Sequence, residues 1–200
     1  MANESKIVTL KNGYHAWTRK ERYVPIKILL LHGGPGMDHE YLEPFSDYIK
    51  IHPEIEIIYY DQLGSYFSDQ PNDPKLWTIP RFIEEIEEVR KAWNLDQFYL
   101  YGQSFGGLFA LEYAASKYGK HVKALIDSNM VDSYQDYAKY INKYRESMDP
   151  ADVSYMKKQE ERHNHNDPHY QELLMKLYHR CICRISPWPD AVQRTFDHMN

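Results

Sequence analysis

Two hundred residues with a formal net charge of −5 and 42 % hydrophobic side chains can bury one sizeable core, with room for a subdomain. The acidic balance and the scattered basic residues exclude a nucleic-acid footprint, and no apolar run approaches the ~18 residues of a membrane span. MANESKIVTL has no secretory h-region, and Cys181 and Cys183 are too close for an ordinary bridge and too few for a zinc site. A cytoplasmic setting, with no metal and no cofactor, is therefore expected.

The chain opens with KIVTL and YHAWTRK flanking Asn12-Gly13, a dipeptide suited to a tight hairpin turn. Four short apolar runs rich in β-formers follow: Ile26 to His32, Glu54 to Gln62, Phe98 to Ser104 and Val122 to Asn129. Between the second and third, Ile79, Phe82, Ile86, Val89 and Trp93 recur at helical spacing. Glu84, Glu85, Glu87 and Glu88 among them are read as a solvated helix face rather than a cation site. A hairpin followed by alternating strands and helices predicts an α/β fold with a mostly parallel sheet. After Asn129 the strand signals stop. Ser133 to Met148, Ala151 to Arg162 and Pro168 to Arg184 read as helices separated by DP and NDP turn signals, so the chain is divided at 131, with 1–131 a sheet-bearing core and 132–200 a helical segment.

Ligands of open α/β sheets bind at the carboxyl ends of strands, and three such ends carry unusual residues. Gly102-Gln103-Ser104-Phe105-Gly106 places a serine on a sharp turn from strand to helix, which pushes its hydroxyl outward as a nucleophile. The residues two before and two after it must be small, because the backbone arms nearly touch there. His32-Gly33-Gly34-Pro35-Gly36 exposes backbone N–H groups able to stabilise an oxyanion, and it lacks the Lys and Ser/Thr of a phosphate loop. His32 itself is assigned a structural hydrogen-bonding role. The third end, Asp61 to Asp69, is by itself only a polar loop with a glycine turn.

HGGPG, YDQLGSYFSD and YGQSFGG, in this order, resemble the proline iminopeptidase (prolyl aminopeptidase) family of serine peptidases with the α/β-hydrolase fold. The resemblance runs from about Ile26 onward, and YHRCICRISPWP resembles part of that family's helical cap. It implies that Ser104 is the catalytic nucleophile, and that the N–H groups of Gly34 and Phe105 form the oxyanion hole. Phe105 stands where the family often has Trp or Tyr, and Tyr66 replaces a glycine common in the Asp-Gln loop. By the resemblance, the acid, the histidine and the residues gripping the substrate amine follow the cap. The expectation is therefore a partial cap in 132–200, with the last core strands absent from these 200 residues. Asp127 ends the strand after the nucleophile helix, where some relatives of the superfold carry their acid, but Ser128 and Asn129 beside it suit a structural turn. The histidines His163, His165, His169, His179 and His198 carry no spacing signal, and the triad is expected to be incomplete in these residues.

The function expected is hydrolysis of the bond after an N-terminal proline in small peptides. The same chemistry on amino-acid amides or esters is the alternative, and an inert fragment or binding module is the non-enzymatic one. Epoxide hydrolases and dehalogenases need an aspartate at the elbow, where Ser104 stands.

Overall fold

The apolar run IEIIYY cannot expose either face to water, and in the computed structural model, which describes residues 3–130 and 133–199, it forms a central strand. Six strands make one sheet: β1 (Asn3–Thr9), β2 (His15–Glu21), β3 (Ile26–Leu31), β4 (Ile55–Tyr60), β5 (Phe98–Gln103) and β6 (Val122–Ser128), in the order β1-β2-β4-β3-β5-β6. β3 pairs in parallel with β4 and β5, and β5 with β6; β2 runs antiparallel to β1 and β4. Gly13 takes a positive φ of 87° in the β1–β2 turn, which the Asn-Gly signal anticipates. The mostly parallel α/β sheet expected from the alternating pattern is present.

Helices cover both faces. α1 (Phe45–Ile51) packs Ile49 with Leu30, Ile57 and Tyr59 on one side. On the other, α2 (Ile79–Ala92) and α3 (Phe105–Ala115) bury Phe82, Ile86, Val89, Phe109 and Tyr113 against Leu29, Leu31, Ile58 and Tyr60. The acidic side of α2 is a correction. Glu85 and Glu87 are each only 2 % exposed. Glu85 is engaged by Arg81 and Tyr60 and accepts from the Leu63 N–H at 2.9 Å. Glu87 accepts from Arg90 Nε at 2.7 Å and from the Tyr113 hydroxyl at 2.8 Å. Buried carboxylates persist because they are paired.

Two compact units divide the chain: residues 3–130 with 190–199, and residues 133–189. The expected division at 131 lies outside the described residues. The last helix, α7 (Asp190–Asp197), belongs to the first unit, so 132–200 is not one helical segment as expected. Within that unit the Tyr41 N–H donates to Thr195 Oγ1 at 3.0 Å, and Arg194 reaches Glu40 and Glu43. The second unit holds α4 (Tyr134–Glu146), α5 (Pro150–Glu161) and α6 (Pro168–Cys181) around Met156, Tyr170 and Leu173. The DP and NDP signals act as helix starts. Asp149 and Asp167 cap α5 and α6 by accepting from Ala151 N–H and Tyr170 N–H, each at 2.8 Å, with proline next. No helix among the described residues is long and apolar enough to cross a membrane.

Candidate active site

β5 ends at Gln103 and α3 begins at Phe105, leaving a single residue to reverse the chain. That residue is Ser104, at φ 53° and ψ −121°, a region that side-chain-bearing residues rarely enter. Its N–H donates to Ser128 O at 2.9 Å and its carbonyl accepts from Gly107 N–H at 3.0 Å, so the turn is held from β6 and from the helix. The glycine requirement is steric. A Cβ on Gly102 would lie 2.6 Å from both Gly106 O and Gly107 Cα, and one on Gly106 would lie 2.3 Å from Leu31 O. The half-buried Ser104 makes no side-chain cap to α3, and Phe105 N–H, a first-turn donor at the positive end of that helix, has no partner among the described residues.

The glycine loop after β3 lies against this turn. A Cβ on Gly33 would meet Gln103 Oε1 at 2.7 Å and Ser104 Cβ at 3.1 Å, so only glycine permits this approach. Gly34 has φ 136°, and a Cβ there would meet Gly36 N at 2.8 Å. Ser104, Gly34 and Phe105 therefore come from adjoining strand ends.

His32 ties this loop to the next one. It is 1 % exposed, and its Nε2 accepts from Gln62 N–H at 3.1 Å, which leaves the proton on Nδ1 to donate to Gly33 O at 2.7 Å. Burial pushes its pKa down, outweighing the nearby Asp61, and holds the ring neutral. The structural role expected of His32 agrees with these bonds.

Asp61 lies at the base of the third loop. Its Oδ1 accepts from His39 N–H at 2.9 Å and pairs with His39 Nδ1 at 2.8 Å, while its carbonyl accepts from Ser68 at 2.7 Å. Tyr66, at the position where the sequence departs from glycine, stacks on His198 with ring centroids 3.7 Å apart. Beside Phe105, a cavity of about 450 Å³ is lined by Pro35, Leu63, Trp77, Ile79, Phe82 and Phe109.

No hydrogen bond among the described residues reaches the Ser104 hydroxyl. Asp127 Oδ1 lies where a Cβ on Gly107 would meet it at 2.3 Å, and burial raises its pKa. His198 is engaged by Asp38 and Glu40, with Nδ1 at 3.1 and 2.8 Å from their carboxylates. In the second unit His169 faces Glu172 and Tyr155, His179 lies beside Trp188, and His163 and His165 face one another. Sequence reading missed the Tyr41 hydroxyl, which accepts from Gly33 N–H and donates to Gln103 Oε1, each at 2.6 Å. Its place nine residues after His32 gives no pattern to find.

A family model described as alpha/beta hydrolase fold matches residues 27–162. A proline iminopeptidase of Elizabethkingia meningoseptica is 43 % identical over 198 residues, covering 97 % of this chain and 66 % of its own length. One from Chitinophaga pinensis is 38 % identical over 201 residues, covering 97 % of this chain and 67 % of its own. The crystal structure of VinJ superposes with a TM-score of 0.89 at 25 % identity, over 98 % of this chain and 67 % of that one. A proline iminopeptidase from Mycobacterium smegmatis has the same fold, with a TM-score of 0.80. The chain spans about two thirds of the length of these relatives. It belongs to the proline iminopeptidase family of alpha/beta hydrolase-fold proteins.

Proposed function

We propose that the chain carries the nucleophile and oxyanion hole of a serine aminopeptidase that releases N-terminal proline from small peptides. The observation that carries this reading is the Ser104 turn, φ 53° and ψ −121°, with the Gly33–Gly34 loop packed onto it. Ser104 Oγ attacks the carbonyl carbon, and the oxygen, now negative, is received by Gly34 N–H and Phe105 N–H. The serine proton passes to a histidine that the described residues do not place at Ser104, and then to the leaving amine. Water repeats the sequence on the prolyl ester and frees proline. The apolar cavity beside Phe105 suits an apolar ring better than a charged side chain. The unpaired Cys181 and Cys183 suit a reducing, cytoplasmic setting.

Proline selectivity is tested by complementation. These 200 residues are joined to the part of the Elizabethkingia meningoseptica relative that its 198-residue match leaves out. The expected kcat/KM for a prolyl arylamide exceeds that for the alanyl and leucyl analogues by at least ~10-fold, on the order of one well-fitted apolar contact. Equal rates on all three would point to a broad aminopeptidase or amidase instead.

A further inference from the structure

Tyr41 follows the glycine loop, outside the three sequence motifs, yet its hydroxyl touches two of them. Gly33 N–H donates to Tyr41 Oη at 2.6 Å, and the Tyr41 O–H donates to Gln103 Oε1 at 2.6 Å. Gly33 precedes one oxyanion donor, and Gln103 precedes the serine. One oxygen thus sets the spacing between the two halves of the site. The partners leave little freedom, because a Cβ on Gly33 would already meet Gln103 Oε1 at 2.7 Å. Burial pushes the phenol pKa up, so the hydroxyl keeps the proton it donates.

The tyrosine is held in turn from α7. Tyr41 N–H donates to Thr195 Oγ1 at 3.0 Å, and the Thr195 hydroxyl donates to Asp38 Oδ1 at 2.5 Å. Asp38 Oδ1 also accepts from Glu40 N–H at 3.0 Å, and Asp38 Oδ2 faces His198 Nδ1 at 3.1 Å. Arg194 bridges Glu40 and Glu43 on either side of Tyr41. The short segment 38–43 is therefore fixed to α7 by side chains, and Tyr41 carries that constraint to the glycine loop.

We propose that Tyr41 is a positioning residue: through Gly33 N–H and Gln103 Oε1 its hydroxyl holds the Gly34 N–H where the oxyanion on a Ser104 adduct forms. The proposal rests on the assignment of Ser104 and Gly34 made above. Tyr41 does not touch the reacting atoms. Its effect is on the tetrahedral state and not on ground-state binding, because only the former uses the oxyanion donors.

The test uses Tyr41→Phe in the complemented form described above, with amide exchange followed by NMR and with prolyl boronic acid as the tetrahedral mimic against L-prolinamide as the ground-state one. Tyr41→Phe is expected to speed exchange at Gly33 by ~10-fold or more, the loss of one hydrogen bond, while amides within β3 and α3 keep their rates. It is expected to weaken the boronic acid by ~10-fold and to leave prolinamide within about twofold. Gln103→Met, which removes the acceptor and keeps the tyrosine, gives a smaller change in the same direction and serves if Tyr41→Phe fails to fold. Unchanged exchange at Gly33, or equal weakening of both ligands, overturns the proposal. A boronic acid that binds Ser104→Ala as it binds the parent counts against the nucleophile; Tyr41 is then a structural residue, and the proposal falls with the reading it rests on.

Discussion

At φ 53° and ψ −121°, Ser104 occupies backbone space that glycine enters freely and serine enters at a cost of about 1–3 kcal/mol. Ser104→Gly is therefore expected to stabilise the chain by ~1 kcal/mol, after the greater freedom of unfolded glycine is deducted. Thermal unfolding checks this, and a lower Tm for the glycine variant would contradict the strain. Glu87 makes the opposite kind of contribution. Burial opposes its ionisation, but hydrogen bonds from Arg90, Tyr113 and Lys91 outweigh that and hold its pKa down from 4.5 to about 2. A group with a depressed folded pKa stabilises above its unfolded value and loses that contribution as pH falls through the folded one. Glu87→Gln is thus expected to cost on the order of 3 kcal/mol at pH 7, with the deficit shrinking below about pH 4.5 and closing near pH 2. Urea unfolding at several pH values measures it; a deficit independent of pH would refute the assignment.

At the scale of elements, α3 can begin where it does only because Gly106 has no side chain. Gly106→Ala drives a Cβ to 2.3 Å from Leu31 O, a backbone atom that cannot yield, and is expected to cost about 3 kcal/mol or more. Gly13→Ala meets open space, and only its φ of 87° resists, at ~1 kcal/mol. Urea midpoints of the two variants give the comparison, and equal losses would show that the elbow is not tightly packed. The same elements show what the sequence made legible. IKILLL, IEIIYY and FYLYGQ are buried runs whose composition alone says strand, and Gly102, Ser104 and Gly106 locate the elbow because steric demand acts between neighbours in the chain. α1 and α7 are short, with seven and eight residues, and carry too few periodic positions to stand out. The buried face of α2 is not legible in the sequence, because the partners of Glu85 and Glu87 include Tyr60 and Tyr113, 25 and 26 residues away. Position in the chain puts His198 with the helices before it, whereas its contact with Asp38 spans 160 residues.

For the whole molecule, the sheet order ends on β6, which pairs with β5 alone among the described residues and leaves Ile126 43 % exposed. An open edge with exposed apolar side chains favours association, so the 200-residue chain is expected to bind a hydrophobic dye, and Ile126→Lys to reduce the signal. A dye-silent monomer would contradict that reading of the edge. Ser104, the proposed nucleophile, has no base at its hydroxyl among the described residues. Steady-state hydrolysis of a prolyl arylamide is the decisive measurement, with the 200-residue chain, the complemented form described above and Ser104→Ala in that form measured side by side. Near-background turnover is expected from the 200 residues, turnover from the complemented form, and its loss by at least ~10³-fold in Ser104→Ala without loss of fold. Robust Ser104-dependent turnover by the 200 residues alone, or activity in the complemented form that survives Ser104→Ala, would contradict the assignment.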